Sequence, residues 1–426
     1  MTLQNAQLQF DDIQDQASGT VIKAAHKIAG RLETSSQVTR KDINAIFKTL
    51  TGSSDATNGW SVKMTGCAIE LAELMWLRDH SGISLNSDFS EADKCFVALE
   101  QALPPQYNRH DDQIALQQFS TPARLAWAMA QAAGILREDI LLEPSAGTGI
   151  LAIWPHLVGA KLILNEIDDL RSACLSELFP GAPLSSHDGE LINELLPSRH
   201  NPNLVLMNPP FARSAERGTD GRSALRHMRS AWRRLSVGGR LVAIMPEGFS
   251  AAKFAKSEPA PCALRLNARI TRSFARRGTG ITVRLVVLDK IASEQSVEPI
   301  DIADFEGLYD ACRALPERAA SKSTAQTSRP RAKPLTLVSS NRLKRPVAPV
   351  AKPLGGTQIS EKLIFEVLDD AAPTPEQKGI YLAYRPSRIS IDKAPVHPTP
   401  LVESVAMGSV AAPIPQHQPV VPADWR

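Results

Sequence analysis

The stretch 141–150, LLEPSAGTGI, constrains the fold of this chain more than any other. Residues 140–143 read as a short buried strand ending in a carboxylate, 144–149 as a turn of small residues, and Ile150 onward as the start of a helix. A strand–turn–helix of this kind aims backbone N–H groups and a helix N-terminus at a ligand's polar groups. Gly147 and Gly149 lack a Cβ, so the main chain there can approach a ligand that bulkier residues would exclude. Ser145 lies in the same turn, and Glu143, at the strand's C-terminal edge, can accept a hydrogen bond from an ammonium or a hydroxyl. Alone, the pattern also fits a plain βα connection.

A second motif narrows the choice. Asn208-Pro209-Pro210-Phe211 follows another buried-looking strand, 204–207. Two prolines at a strand end remove two N–H donors and stiffen the chain, which packing alone does not call for. A rigid turn carrying an amide and an aromatic ring suits a planar base with an exocyclic amine.

Between and beyond these motifs, strands and helices alternate. Strands are expected at 161–166, 182–186, 204–207, 239–245, 268–274 and 282–290, with helices at 168–179 and 222–235. This alternation predicts a doubly wound α/β sheet that binds its ligand at the strands' C-terminal ends. The last two strands lack a long helix between them, which allows antiparallel pairing. Glu166 closes the second strand, where a carboxylate can take both hydroxyls of a ribose. Asp188, after the third strand, is placed to accept from an adenine amino group. The turn lacks a full GxGxxG pattern, which weighs against a nicotinamide or flavin enzyme. In 117–133, QQFSTPARLAWAMAQAA, Pro122 marks a helix start with Ser120 or Thr121 as its cap. Phe119, Ser120, Thr121 and Pro122 are expected to wall the ligand pocket.

At 426 residues the chain has room for roughly two to three domains. Thirty-one prolines against 5% aromatic residues indicate that part of it does not pack. Residues 1–110 read as a helical accessory domain, with helices at 20–32, 42–50 and 64–77. Residues 111–312 form the α/β domain. A basic, disordered linker is expected at 313–358, because nine Lys/Arg and no acid fall between Arg318 and Lys352. A proline-rich segment, 359–426, cannot bury a core of its own and is expected to dock on a partner. The formal net charge of +3 excludes little; its distribution matters more. Arg222, Arg226, Arg229 and Arg233 recur at helical spacing, either as a stripe tracking a phosphate backbone or as the solvated face of an outer helix. The loop 212–221 between the second motif and that helix suits a lid. Cys67, Cys95, Cys174, Cys262 and Cys312 form no CxxC pair, which argues against a metal site and for a reducing cytoplasm. No signal peptide and no membrane span is readable.

The order FSTP (119–122), EPSAGTG (143–149), NE (165–166) and NPPF (208–211) resembles the class I S-adenosylmethionine-dependent methyltransferases, within them the amino-methyltransferases of the N6-adenine type. Longer stretches, LLEPSAGTGILAIW, LMNPPF and the tail segment 384–407, resemble the methylase half of bacterial strawberry-notch-like proteins and phage antirestriction methylase–helicase polypeptides. The resemblance implies a seven-stranded Rossmann-like sheet and S-adenosylmethionine as cofactor. Its methionine part would lie near 119–122, Glu143 and the turn 145–149, its ribose at Glu166 and its adenine at Asp188. In that family the Asn208 side chain and the Pro209 carbonyl would accept from the target amine, and Phe211 would stack on a base flipped out of DNA. No metal is implied. Family members continue into a helicase-like ATPase, whereas this sequence has no GxxxxGK[ST] loop, so such a partner is expected to be encoded separately or lost. Methylation of RNA or of a protein glutamine, or a catalytically silent cofactor-binding module in an antirestriction or conjugation assembly, are the alternatives.

Overall fold

A computed structural model describes residues 3–34, 37–53, 59–105 and 120–318, apart from 212, 215–217, 220, 272–273, 275–279 and 294–296. These residues belong to the unit Met1–Arg331. The expected boundary at 110, Phe119, and the basic and proline-rich segments beyond 318 lie outside the described residues.

Four helices open the chain: α1 (Leu3–Thr34), α2 (Arg40–Thr51), α3 (Val62–Asp79) and α4 (Phe89–Ala102). α1 starts well before the expected 20–32. In α2 a capping box fixes the start: Thr39 accepts from the Asp42 N–H, and the Asp42 carboxylate accepts from the Thr39 N–H. No helix of the described residues is long and apolar enough to cross a membrane.

The α/β part then runs α5 (Ala123–Ala133), β1 (Ile140–Glu143), α6 (Ile153–Val158), β2 (Lys161–Asn165), α7 (Asp169–Leu178) and β3 (Leu184–Ser185). A 3-10 turn, Gly189–Leu191, and α8 (Ile192–Leu195) lead to β4 (Leu204–Met207). A small ladder of β5 (Arg213–Ser214) and β6 (Gly218–Thr219) occupies the stretch expected to be a lid. α9 (Ser223–Arg234), β7 (Arg240–Pro246), α10 (Ala251–Ser257), β8 (Ala263–Ile270), β9 (Val283–Asp289), β10 (Ile300–Ile302) and α11 (Phe305–Arg313) complete the unit.

The main sheet has the order β10-β8-β9-β7-β4-β1-β2-β3. β3, β2, β1, β4 and β7 are mutually parallel, while β9 runs antiparallel to both β7 and β8. The middles of its central strands are continuous apolar runs because both faces are covered, with polar residues confined to strand ends such as Glu143, Asn165 and Arg240. Leu141, Leu164, Leu206 and Val242 face a core built with α1–α7, whereas Leu142, Ile163, Val205 and Leu241 face one built with α8–α10.

Two strand expectations are corrected. Among the described residues the sheet has eight strands rather than seven, since the short, solvent-facing β10 pairs with β8 and carries no periodic signal. The strand expected at 268–274 lies at Ala263–Ile270: a register shift between Leu264 and Leu266 interrupts the alternation by which a strand is recognised. Arg240 locks β7 to β9 through a buried bidentate pair with Asp289, at 2.7 and 3.1 Å, and donates to the Ala132 carbonyl at the end of α5.

Candidate cofactor and active site

Chain order reverses about β1, which lies between β2 and β4, and this opens a crevice at the strands' C-terminal ends. Ser120, Thr121, Glu143, Ser145, Gly147, Glu166, Asp188, Asn208 and Pro210 all line that cleft.

The glycine turn is held by its own backbone and by the neighbouring strand. The Ala146 N–H donates to the Asn165 carbonyl and the Gly149 N–H to the Ala146 carbonyl, each at 2.9 Å. Gly147 and Gly149 have φ of +58° and +106°, a region L-residues avoid. Their roles differ from the sequence argument. A Cβ on Gly149 would come within 2.7 Å of Phe179 and 3.0 Å of Leu175, so packing on α7 and its C-terminal end demands glycine there. At Gly147 the nearest atom would be an Arg171 nitrogen, 3.6 Å away, so backbone conformation is the demand.

Glu166 is buried, and each of its oxygens accepts one backbone N–H, from Gly147 at 2.7 Å and from Asp168 at 2.9 Å. A carboxylate has about four acceptor sites, so capacity for ligand hydroxyls remains. Burial raises the Glu166 pKa, opposed by Arg171 and the two N–H donors. Glu143 is only 1% exposed, and its Oε2 has no hydrogen-bond partner among the described residues. Burial, and then the nearby Glu166, push its pKa well above the usual carboxylate range. A buried acid without a donor is costly unless a cation or donor arrives. Ser120 Oγ, which lines the same cleft, is likewise buried and has no partner among the described residues.

Pro122, not Ser120 or Thr121, is the N-cap of α5, and no side chain caps that helix. The Thr121 hydroxyl is used elsewhere: it accepts from the Asn208 Nδ2 at 3.0 Å. That bond fixes the amide where Asn208 lines the cleft. Pro209 is buried, Pro210 lines the cleft, and Phe211 is half-buried against both apolar layers. Asp188 borders the cleft while one oxygen accepts from the Glu190 N–H at 2.9 Å.

The four arginines divide. Arg226 donates twice to Glu190, both bonds at 2.8 Å. Arg229 pairs with the buried Glu258 at 3.1 Å, and Arg233 lies 3.9 Å from the same acid with half its side chain exposed. Arg222 is the exposed N-cap residue of α9. The sequence showed no acid within this stretch; the acids come from Glu190 before it and Glu258 after it.

Sequence reasoning missed several contributors. Asn165 donates to the Pro144 and His187 carbonyls at 2.9 and 2.8 Å and accepts from the His187 N–H, joining the ends of β1, β2 and β3. His227, buried on α9, also lines the cleft, with its Nδ1 donating to the Ser223 carbonyl at 3.0 Å and its Nε2 3.9 Å from Asp188. Glu70 and Arg171 reach the turn from α3 and α7. A glutamate inside the apolar run CAIELAELMWL was the one available signal among these.

No protein-family model matches the chain. It is 26% identical over 153 residues to the type II restriction enzyme and methyltransferase RM.BcgI of Heyndrickxia coagulans, a match covering 31% of this chain and 24% of that protein. The chain thus spans about a quarter of that relative's length. Similar solved structures include the methyltransferase subunit of a type I restriction-modification system from Streptococcus thermophilus, at 14% identity, 68% of this chain, 81% of that one and a TM-score of 0.36. An rRNA methylase from Streptococcus thermophilus is 18% identical, over 38% of this chain and 94% of that one, with a TM-score of 0.28. The strand order β3-β2-β1-β4-β7-β9-β8, with β9 inserted antiparallel, is a Rossmann-like α/β sheet of the kind the sequence resemblance implies.

Proposed function

We propose that this chain is an S-adenosylmethionine-dependent methyltransferase acting on an exocyclic amino group, adenine N6 in DNA. The observation that carries the reading is Asn208, held by Thr121 at the mouth of the same cleft whose floor contains the unpartnered Glu143. The match to RM.BcgI supports DNA as the substrate.

The cleft fits this cofactor. Glu143 supplies a buried negative charge for a ligand that carries an ammonium and a sulfonium, and Ser120 Oγ is available to the amino-acid end. Glu166 would hold the ribose hydroxyls, and Asp188 the adenine amine. When bound, S-adenosylmethionine supplies a sulfonium methyl group that an amine lone pair can take with release of the thioether. The protein's part is alignment. The Asn208 oxygen and the Pro209 carbonyl accept the two N–H groups of the target amine, which aims its lone pair into the cleft. Phe211 provides a ring face for the base. Positioning and electrostatics suffice for such a transfer, and no strong base is needed. A helicase-like ATPase partner and an antirestriction setting follow from the sequence resemblance alone.

Tritium transfer from labelled S-adenosylmethionine to unmethylated DNA, RNA and peptide tests the reading, with Asn208→Ala alongside. Transfer to DNA that yields N6-methyladenine and disappears in the variant supports it. Transfer to RNA or glutamine redirects the substrate, and cofactor binding without transfer to any of them identifies a silent module.

A further inference from the structure

α3 belongs to the N-terminal helices, outside the sheet that carries the cleft, yet one of its faces bears on the cleft from behind. Lys63, Cys67 and Glu70, at i, i+4 and i+7, share that face. Glu70 is buried in an apolar helix, where a carboxylate requires partners. Its Oε2 accepts from Thr148 Oγ1 at 3.0 Å, a buried bond into the glycine turn. Lys63 Nζ pairs with Asp168 at 2.5 Å. Asp168 in turn caps α7 and gives its N–H to Glu166. Arg171 is buried between these groups, and Glu70, Glu166 and Asp168 hold its charge against the cost of burial.

The two N–H donors that orient the Glu166 carboxylate come from Gly147 and Asp168. Each belongs to a segment that α3 grips, the first through Thr148 next to Gly147, the second through Asp168 itself. The bonds join residues far apart in sequence, so they exist only when α3 is docked. Loss of Glu70 would free Thr148 and leave Arg171 with Glu166 and Asp168, drawing the guanidinium toward the ribose carboxylate and competing with ligand hydroxyls.

We propose that α3 is part of the cofactor site, with Glu70 and Lys63 as positioning residues that set the orientation of Glu166 and make ribose recognition conditional on the docked N-terminal helices. This rests on the assignment of Glu166 to the ribose under the methyltransferase reading.

Calorimetric titration of the full chain with S-adenosylhomocysteine and with its 2′-deoxyribose analogue tests it. The wild type should prefer the ribose ligand by about ten- to a hundredfold, as for a hydrogen bond to a charged group. In Glu70→Gln the affinity for S-adenosylhomocysteine should fall about tenfold and the preference should shrink to about threefold or less. Lys63→Met should shift the preference in the same direction by a smaller factor. Lys63 is partly exposed, so this variant keeps the test open should Glu70→Gln not fold. A preference unchanged in both variants overturns the inference, even with a uniform loss of affinity, because a merely structural role weakens both ligands alike. Equal binding of the two ligands by the wild type removes Glu166 from the ribose and the inference with it. Binding of neither ligand overturns the cofactor reading itself.

Discussion

Glu143 is held in the fold in a state that suits a ligand more than the free protein. Its pKa in the fold lies above the ordinary carboxylate value because burial, and then Glu166, oppose ionisation. A raised acid is stabilising in its protonated form. Its contribution is fully present below the unfolded-state pKa and is lost as pH rises through the folded value. At neutral pH the ligand-free protein therefore carries an ionised group with one oxygen unpartnered among the described residues, or a proton that a cationic ligand must displace. Glu143→Gln should raise the unfolding midpoint of the ligand-free protein at pH 7 by about 2–8 °C, measured by scanning calorimetry. The same variant should bind S-adenosylmethionine at least about tenfold more weakly. In the wild type that affinity should decline as pH falls through the raised pKa, and in Glu143→Gln the pH dependence should flatten; identical profiles would refute the assignment. Asn208 gives the complementary case. Asn208→Ala should lower methyl transfer by about 10²-fold or more, as for loss of a preorganised polar contact to the reacting group. Its affinity for S-adenosylhomocysteine should change far less.

At the scale of elements, the two glycines of one turn separate conformational demand from packing demand. Gly149→Ala meets both a φ of +106° and a Cβ contact of 2.7 Å with the Phe179 ring. It should cost about 2–4 kcal/mol in urea unfolding, summing left-handed strain and overpacking. Gly147→Ala meets the left-handed φ with only an ordinary contact to Arg171 at 3.6 Å and should cost about 1–2 kcal/mol. Equal costs would show that Phe179 and Leu175 yield easily. This turn marks what local sequence can and cannot reveal. Strand β1, the turn, the Glu166 strand end and NPPF were readable because hydrophobic runs and special residues lie next to one another in the chain. Why Gly149 must be glycine was not, since the side chains it avoids belong to α7 and its C-terminal end. Thr121 was readable as a helix cap by local rules and is in fact the acceptor for Asn208, 87 residues away. Arg226 and Arg229 looked like a free basic stripe until the fold brought Glu190 and Glu258 against them.

For the whole molecule, those ion pairs shift the question of nucleic-acid attraction away from α9. Three arginines of the stripe, Arg226, Arg229 and Arg233, face Glu190 or Glu258, so the helix offers a polyanion less than its sequence suggests. The dense basic run between Arg318 and Lys352 contains nine Lys/Arg without an acid. One of them, Arg318, is already paired with the buried Asp139 and donates to the Gly134 carbonyl at 3.1 Å, and so belongs to the fold. The other eight, from Lys322 to Lys352, remain as the candidate phosphate contacts. Each phosphate neutralised on duplex DNA contributes about −0.9 to the slope of log affinity against log salt. Replacing those eight residues by glutamine in the full chain should flatten that slope by several units, up to about 7, in fluorescence anisotropy with a nonspecific duplex. Arg226→Gln should leave the slope nearly unchanged, because its charge is already matched by Glu190. The opposite ranking, with α9 dominating the slope, would return the helix stripe to the role of DNA contact and make the basic run a spacer. Neither substitution touches Glu143, Glu166 or Asn208, so affinity for S-adenosylhomocysteine serves as the control that separates lost DNA attraction from a damaged cofactor site.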